Sequence, residues 1–194
     1  RDWPHLGIVV QAYLKSADAD VERLVALARR RSYPVTVRLV KGAYWEHEVA
    51  LARQMALPES SCPVFTDKAA TDRNYERLTA MLFDHIDLLR PALGSHNLRS
   101  STHAIALAEQ HGRPREAYEV QMLYGMAEPE RAALRDAGCR VRLYCPIGEL
   151  LPGMAYLVRR LLENTSNTGF LRLSHHEQTD IHTLLKPPVP EEVG

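Results

Sequence analysis

Several features that mark particular protein classes are scarce in this sequence. Its 194 residues include three cysteines, Cys62, Cys139 and Cys145, an odd and sparse set that argues against a disulfide framework and favours a reducing compartment. Lys plus Arg and Asp plus Glu both number 24, so the chain lacks the basic excess of nucleic-acid-binding domains. No apolar run approaches the roughly 18 residues that a membrane-spanning helix needs. The remaining composition, 45% hydrophobic and 25% charged, is that of a globular domain.

The two ends of the chain predict a piece of a longer protein. The chain begins at Arg1, shows no signal-peptide pattern, and reaches the apolar run that starts at Ile8 almost at once. The other end combines three prolines with Glu191 and Glu192. We therefore expect residues 1–172 to form the folded part and residues 173–194 to form a polar, Pro-rich tail or linker.

Short apolar runs alternate with helical patterns along the chain. Runs rich in β-branched residues predict strands at 7–13, 35–40, 118–123 and 141–145, a weak extended piece at 63–65, and an ambiguous strand or turn at 84–94. Apolar residues at helical spacing predict helices at 18–31, 44–56, 71–83, 101–111, 129–137 and 154–164. This alternation is typical of an α/β protein with a parallel sheet covered by helices.

Two parallel-sheet architectures are compatible with this alternation. A doubly wound sheet usually carries a G-x-G-x-x-G turn, and this sequence has none. A (βα)8 barrel of the TIM type carries its chemistry at the carboxyl ends of its strands, where this chain places polar or glycine-marked residues. We therefore predict an incomplete (βα)8 barrel with about five strands, the missing strands preceding Arg1. The strand-end residues are Gln11, Arg38 with Lys41 and Gly42, Ser95 to Asn97, Gln121 and Tyr144.

Cationic and aromatic residues cluster where the strand at 35–40 becomes a helix. Arg38 and Lys41 precede Gly42, which permits close approach of a ligand to the backbone, and Tyr44 and Trp45 follow. A helix that begins here favours an anion such as phosphate at its amino end, and an aromatic ring could stack on a flat heterocycle. A surface loop with solvated charges explains the same residues equally well.

Adjacent arginines lie within the apolar helical pattern near residue 160. Arg159 and Glu163 are i, i+4 neighbours, so their side chains can pair, and two guanidinium groups can grip a carboxylate bidentately. Spacing alone favours an ordinary exposed helix face. His175, His176 and His182 lack the companion ligands of a metal site, so we expect no bound metal. Ser95 with His96 supports a hydrolase only weakly because no G-x-S-x-G turn surrounds them.

Six segments together resemble a known family. The segments IVVQAY, RLVKGAYWE, SHN, VQMLYGM, LYCPIGE and AYLVRRLLEN, in that order between Gly7 and Phe170, resemble proline dehydrogenase, the FAD-dependent barrel of proline catabolism. The resemblance is closest to the proline dehydrogenase domain of the bifunctional bacterial proline utilisation protein. It implies strands 4 to 8 of the barrel with their helices, and oxidation of L-proline to Δ1-pyrroline-5-carboxylate by hydride transfer to FAD, with electrons passed on to quinone.

The resemblance also implies a context for the chain. The family's earlier strands supply further active-site groups, including a lysine and an aspartate, so the isolated chain is expected to be inactive. An aldehyde dehydrogenase module is expected after the tail. The protein is expected in the cytoplasm, with a peripheral position at the inner membrane face as an alternative. The regulatory DNA-binding role of some bifunctional members resides in a separate N-terminal module, so no nucleic acid is expected to bind this segment.

By the same resemblance, particular residues acquire roles toward proline. Arg159 and Arg160 bind its carboxylate, and Glu163 orients an arginine. Leu123 and Tyr144 form walls against the proline ring, with Tyr44 closing the pocket. Tyr144 at this wall favours proline over hydroxyproline. The expected catalytic group comprises Arg38, Tyr144, Arg159, Arg160 and Glu163.

The resemblance assigns a second group of residues to FAD. Arg38 lies beside the flavin N5 edge, and Gln11 and Gln121 contact the flavin ring or ribityl chain. The pyrophosphate and adenine side is assigned to Val40, Lys41, Gly42, Ala43 and Trp45. Ser95, His96 and Asn97 correspond to a Thr-His-Asn strand end of close relatives, with serine retaining the hydroxyl group. The alternative from another class is a non-catalytic incomplete barrel that acts as an assembly or interaction module.

Overall fold

The central feature of the computed structural model, which describes residues 3–165 and 180–188, is a five-stranded parallel sheet. Its neighbours follow chain order without a reversal, whereas a doubly wound sheet reverses its strand order at a switch point. The described strands therefore exclude the doubly wound alternative and have the sequential order of barrel-type folds. The strands are β1 (Gly7–Gln11), β2 (Val35–Val40), β3 (Leu89–Gly94), β4 (Glu119–Leu123) and β5 (Arg140–Tyr144).

Helices connect successive strands, as expected for parallel neighbours. They are α1 (Ala17–Ala28), α2 (Trp45–Gln54), α3 (Lys68–Asp84), α4 (Leu98–Gln110), α5 (Glu128–Asp136), α6 (Leu150–Thr165) and α7 (Ile181–Leu184). Short 3₁₀ turns occupy Glu59–Ser61 and Arg115–Ala117. Among the described residues, no helix combines the length and apolar character needed to cross a bilayer.

The two faces of the sheet differ in character. On β2, Val35, Val37 and Leu39 are fully buried, whereas the alternate residues are partly exposed. Because side chains alternate along a strand and parallel register keeps paired residues on one face, the register assigns every strand residue to a face. We call the face that carries the partly exposed residues of β2 the open face. Its successive rows are Val9, Arg38, Ala92, Glu119 and Arg140, then Gln11, Val40, Gly94, Gln121 and Arg142, then Leu123 and Tyr144.

The main core lies between the other face of the sheet and the helices. Tyr75, Leu78 and Leu82 of α3 are fully buried in it. The ring of Phe83 meets Tyr118 edge to face, with centroids 5.3 Å apart. A smaller cluster joins α2 to the segment after it and comprises Tyr13, Val49, Ala52, Cys62 and Val64. Val64 forms an isolated antiparallel bridge with Leu14, the only pairing in the weakly extended piece predicted at 63–65.

Capping residues account for two of the differences between predicted and observed helix starts. The side chain of Asp67 accepts hydrogen bonds from the first turn of α3, and that of Asn97 does the same for α4, so each helix begins three residues before its apolar pattern. The helix α6 begins at Leu150, four residues before its predicted start at 154. Pro152 does not prevent this earlier start, because proline is tolerated in the first turn of a helix.

The ambiguous stretch at 84–94 contains a strand, β3, despite a proline within it. Pro91 pairs with Val37 of β2, while β4 pairs with β3 only from Ala92 onward. The side of Pro91 that faces β4 therefore lies before that ladder begins, and the missing N–H of proline is tolerated there.

Candidate active site

Arg38 and Tyr144 meet at the carboxyl end of the open face. Cζ of Arg38 lies 5.0 Å from the centroid of the Tyr144 ring, a cation–π distance. Their strands, β2 and β5, are three positions apart in the sheet, which is about 14 Å for a flat sheet. Contact across that span indicates a concave open face. Nε of Arg38 is buried without a hydrogen-bond partner among the described residues, so it is an unsatisfied donor at this strand end.

Glu119 lies in the same row of the open face as Arg38 and forms the hub of a polar cluster. Nε of Arg142 lies 2.9 Å from Oε1 and 3.0 Å from Oε2 of Glu119, and Nη2 of Arg142 lies 2.8 Å from Oε2. Nε2 of Gln121 donates to Oε1 of Glu119 at 2.6 Å. Burial opposes ionisation of Glu119, but the hydrogen bonds from Arg142 and Gln121 outweigh it and lower the pKa of this carboxyl group. Glu119 is therefore an acceptor at neutral pH.

Lys41 is held on α3 rather than left in solvent. Its Nζ lies 2.5 Å from Oδ1 of Asp72, whose Oδ2 lies 2.7 Å from Nζ of Lys68, and the Lys41 ammonium sits 5.5 Å from the centroid of the Tyr75 ring. Burial lowers the pKa of Lys41, opposed by the carboxylate of Asp72. Burial alone would raise the pKa of Asp72, but the charges of Lys41 and Lys68 outweigh it, and the pKa is lowered.

Gly42 is required by its packing against Tyr13. It has a φ of +133°, and a Cβ there would lie 2.5 Å from Cγ of the buried Tyr13 ring. Next along the chain, Nε1 of Trp45 donates to the carbonyl of Phe65 at 2.6 Å, which pins the indole over the smaller core cluster. Tyr44 is half-exposed at the start of α2. Val40 and Ala43 are partly buried. Val40 is the last residue of β2, so the segment predicted to bind the cofactor follows directly from the end of this strand.

The Ser95, His96 and Asn97 segment builds the connection from β3 to α4. Oγ of Ser95 accepts from the backbone N–H of Asn97 at 3.0 Å, and Oδ1 of Asn97 caps α4. Nε2 of His96 accepts from the backbone N–H of Leu123 at 3.0 Å, which ties the end of β3 to the end of β4. These contacts show how the strand ends are held, and the predicted cofactor contacts of the three residues stay predictions.

The helix α6 reaches the same strand end through aromatic contact. The Tyr144 and Tyr156 rings lie 5.5 Å apart between centroids. Arg159, Arg160 and Glu163 follow three, four and seven positions after Tyr156 in this helix. Their side chains lie outside the described part of the structure, so their predicted roles stay predictions. His175 and His176 also lie outside the described residues.

The sheet brings together Arg38, Val40, Gln121, Leu123 and Tyr144 on the open face, with Gln11 in the same row as Val40. Leu123 is buried and Tyr144 is half-exposed, which suits a pocket wall. Glu119, Arg142 and Gly94 share this face and were missed from the sequence. The alternation Glu119-x-Gln121-x-Leu123 was the available signal, because it matches the period of a strand with one polar face.

Two further observations concern the described residues as a whole. They contain no group of three or more His, Cys, Asp or Glu side chains arranged to hold a metal ion. The described part of the predicted tail, residues 180–188, includes α7, and Nη1 of Arg99 donates to the carbonyl of Leu185 at 2.5 Å. Arg99 also pairs with Glu76 of α3 at 2.7 Å, so this segment docks where α3 and α4 meet.

Several characterised bacterial proteins are similar to this chain in sequence. The bifunctional protein PutA of Escherichia coli is 35% identical over 193 residues, covering 96% of this chain and 14% of that protein. Proline dehydrogenase 2 of Bacillus subtilis is 33% identical over 172 residues, covering 88% of this chain and 48% of that protein. The chain thus spans about one-seventh of the PutA relatives and about half of the Bacillus enzyme.

Solved structures and a family model also match this chain, and they belong to the same group of proteins as the sequence relatives. The crystal structure of PutA from Bdellovibrio bacteriovorus inactivated by N-propargylglycine matches with a TM-score of 0.90 and 47% identity, covering 98% of this chain and 20% of that one. PutA from Bradyrhizobium japonicum matches with a TM-score of 0.86 and 35% identity, covering 97% of this chain and 19% of that one. The proline dehydrogenase family model matches residues 1–173. The chain therefore belongs to the proline dehydrogenase family.

Proposed function

We propose that this chain is part of an FAD-dependent dehydrogenase that oxidises L-proline to Δ1-pyrroline-5-carboxylate. The observation that carries the proposal is the meeting of Arg38 and Tyr144 on the open face, where the buried Nε of Arg38 has no hydrogen-bond partner among the described residues. Membership of the proline dehydrogenase family supplies the reaction class. A guanidinium that pairs with no carboxylate among the described residues suits a redox group that gains negative charge on reduction.

The open face fits a flat, polar-edged cofactor such as a flavin. Gly94 lies in the same row as Gln121 and carries no side chain; a Cβ there would lie 3.7 Å from Nε of Arg38. Gln11 and Gln121 supply amide groups in the same row. Bound FAD would supply the chemistry by accepting a hydride from the proline ring carbon beside the nitrogen. The chain itself would hold the cofactor edge and provide a cation beside it.

Substrate recognition is proposed to come from α6 together with the strand ends. Proline presents one carboxylate on a small apolar ring, and adjacent guanidinium groups bind a carboxylate bidentately. Arg159 and Arg160 are placed on the helix that Tyr156 packs against Tyr144, which supports their role toward that carboxylate. Glu163 would orient one of the arginines. Leu123, Tyr144 and Tyr44 would exclude water from the proline ring.

The cofactor's diphosphate end is proposed to lie beside the start of α2. Val40, Lys41, Gly42, Ala43 and Trp45 border this position, and the backbone N–H groups of a helix start favour an anion. The charge of Lys41 is already shared with Asp72, so backbone groups rather than the Lys41 ammonium would make the closest contacts. Ser95, His96 and Asn97 would approach the cofactor from the neighbouring strand end.

The larger context is also proposed. The five strands would be strands 4 to 8 of a (βα)8 barrel formed within residues 1–172. Residues 173–194 would follow as a tail. Without the earlier strands of the barrel, the chain would be inactive. Quinone would take the electrons, and an aldehyde dehydrogenase module would follow in a bifunctional parent. The name of the PutA relatives, a bifunctional protein, supports that arrangement. A cytoplasmic position, or one at the inner membrane face, accords with these partners.

A comparison of two chains tests the proposal. The 194-residue chain and a chain extended N-terminally by the strands of its relatives are purified, and flavin absorbance is recorded before and after addition of L-proline. We expect only the extended chain to retain FAD and to bleach with proline. Bleaching in neither chain would refute the dehydrogenase role and favour a non-catalytic assembly module.

A substitution then tests the carboxylate site. Arg159→Ala in the extended chain should raise KM for proline by at least about 30-fold, equivalent to about 2 kcal/mol of lost binding. Arg135→Ala, on the exposed surface of α5, is the control and should leave KM unchanged. Unchanged proline kinetics in Arg159→Ala would refute the assigned role.

A further inference from the structure

The carboxamide of Gln121 is bound on one side only among the contacts described for the open face. Its Nε2 donates to Oε1 of Glu119 at 2.6 Å. Glu119 is only 12% exposed in its side chain and is itself held by Arg142. One end of the Gln121 amide is therefore fixed by a partner that is itself fixed.

The chemistry of Glu119 determines which end of the amide is fixed. An ionised carboxylate accepts hydrogen bonds and donates none. The lowered pKa of Glu119, caused by the hydrogen bonds from Arg142 and Gln121 against the effect of burial, keeps this group ionised at neutral pH. Gln121 must therefore present its NH₂ group to Glu119, which leaves its carbonyl Oε1 as the acceptor for another group.

Gly94 gives Gln121 a neighbour without a side chain. The two residues pair in the register between β3 and β4. A Cβ on Gly94 would lie 3.0 Å from Cγ1 of Val40 and 3.7 Å from Nε of Arg38, so this position has no room to spare. Gly94 therefore puts no side chain between Val40 and Gln121, its neighbours in the same row of the sheet.

We propose that Glu119 is a positioning residue that holds Gln121 with its Oε1 as the hydrogen-bond acceptor for an N–H or O–H group of the bound cofactor. The inference rests on the flavin role proposed above and assigns Gln121 one direction of hydrogen bonding. Arg142 contributes by holding Glu119 and does not itself meet the cofactor. Gln121 is thus an acceptor, whereas Arg38 is a donor, and the two complement different edges of one ligand.

A double-mutant cycle in the N-terminally extended protein tests the inference through the dissociation constant for FAD, measured by quenching of flavin fluorescence. Gln121→Ala and Glu119→Leu should each raise this constant about fivefold, the loss of one neutral hydrogen bond. Because Glu119 acts through Gln121, the double variant should bind FAD no more weakly than Gln121→Ala alone. Glu128→Leu, which removes the exposed partner of Arg131, is the control and should leave the constant unchanged.

A second readout does not depend on flavin or on the stability of the leucine variant. In ¹⁵N-labelled protein, the side-chain amide protons of Gln121 should be well separated in chemical shift and slow to exchange. Glu119→Gln, which can either accept or donate, should collapse that separation. Equal amide spectra in Glu119→Gln and the unaltered protein, or additive losses of FAD affinity in the cycle, would overturn the positioning role.

The two proposals fail in distinguishable ways. No FAD binding by the unaltered extended protein would refute the flavin role, while the amide spectrum would still report whether Glu119 orients Gln121. FAD binding with an unchanged affinity in Glu119→Leu would refute the positioning role and leave the dehydrogenase proposal standing.

Discussion

The ion pair between Lys41 and Asp72 should make a large contribution to stability. Their charged atoms are 2.5 Å apart, and the side chains are 21% and 17% exposed. An exposed ion pair contributes up to about 1 kcal/mol, whereas removal of one partner from a buried pair costs about 3–5 kcal/mol. The low exposure places this pair near the buried limit, and Asp72→Asn would also leave the ammonium groups of Lys41 and Lys68 facing each other. We expect Asp72→Asn to lower the free energy of unfolding by about 3 kcal/mol.

Urea unfolding followed by circular dichroism measures this loss, with the slope m checked for constancy. Asp87→Asn is the matched control, because Asp87 pairs with Arg113 at 2.6 Å but is 77% exposed, and it should cost less than about 1 kcal/mol. Adding Lys41→Met to Asp72→Asn should restore more than half of the loss, since the unpaired buried charge is then gone. A loss in Asp72→Asn no larger than that in Asp87→Asn would refute the reasoning.

Three further predictions concern pH and backbone geometry. The lowered pKa values of Asp72 and Glu119 mean that the unfolded chain binds more protons, so the free energy of unfolding should be highest above about pH 5 and fall as the pH drops toward 3; urea midpoints that do not change with pH would contradict this. Ala56→Gly should raise stability by about 0.5 kcal/mol, because Ala56 follows the C-cap of α2 with a left-handed φ of +49°, and a lowered melting temperature would count against it. Gly42→Ala should lower the free energy of unfolding by at least about 2 kcal/mol more than Gly148→Ala. Both glycines have φ above +130°, but only a Cβ at Gly42 would overlap Tyr13, so equal losses would refute this prediction.

Periodicity in the sequence predicts most elements of the fold but not their first turns. The strand at Val35–Val40 has the predicted bounds because β-branched residues run through its whole length. The first turns of α3 and α4 carry few apolar residues, so their starts are visible only through the caps Asp67 and Asn97. A search for capping residues before each apolar pattern would have corrected both starts.

Long-range pairs limit how much of the site the sequence can predict. Arg38, Gln121 and Tyr144 were identifiable as polar strand ends, yet their shared face follows only from the register of the strands. Asp72 lies 31 residues after Lys41, on another element, and no local pattern marks the two as partners. The sequence alone therefore does not show that the charge of Lys41 is shared with Asp72 of α3. The predicted role of Lys41 beside the cofactor stays a prediction.

Side chains alternate between the two faces of a strand, so neighbouring residues of β2 serve either the core or the open face. Val37 and Leu39 have no exposed surface, whereas Arg38 between them lies on the open face. A saturation scan of β2 should therefore score Val37 and Leu39 by protein abundance and Arg38 by ligand selectivity. Positions of the second kind are where altered specificity can arise, by evolution or by design, without loss of the folded scaffold.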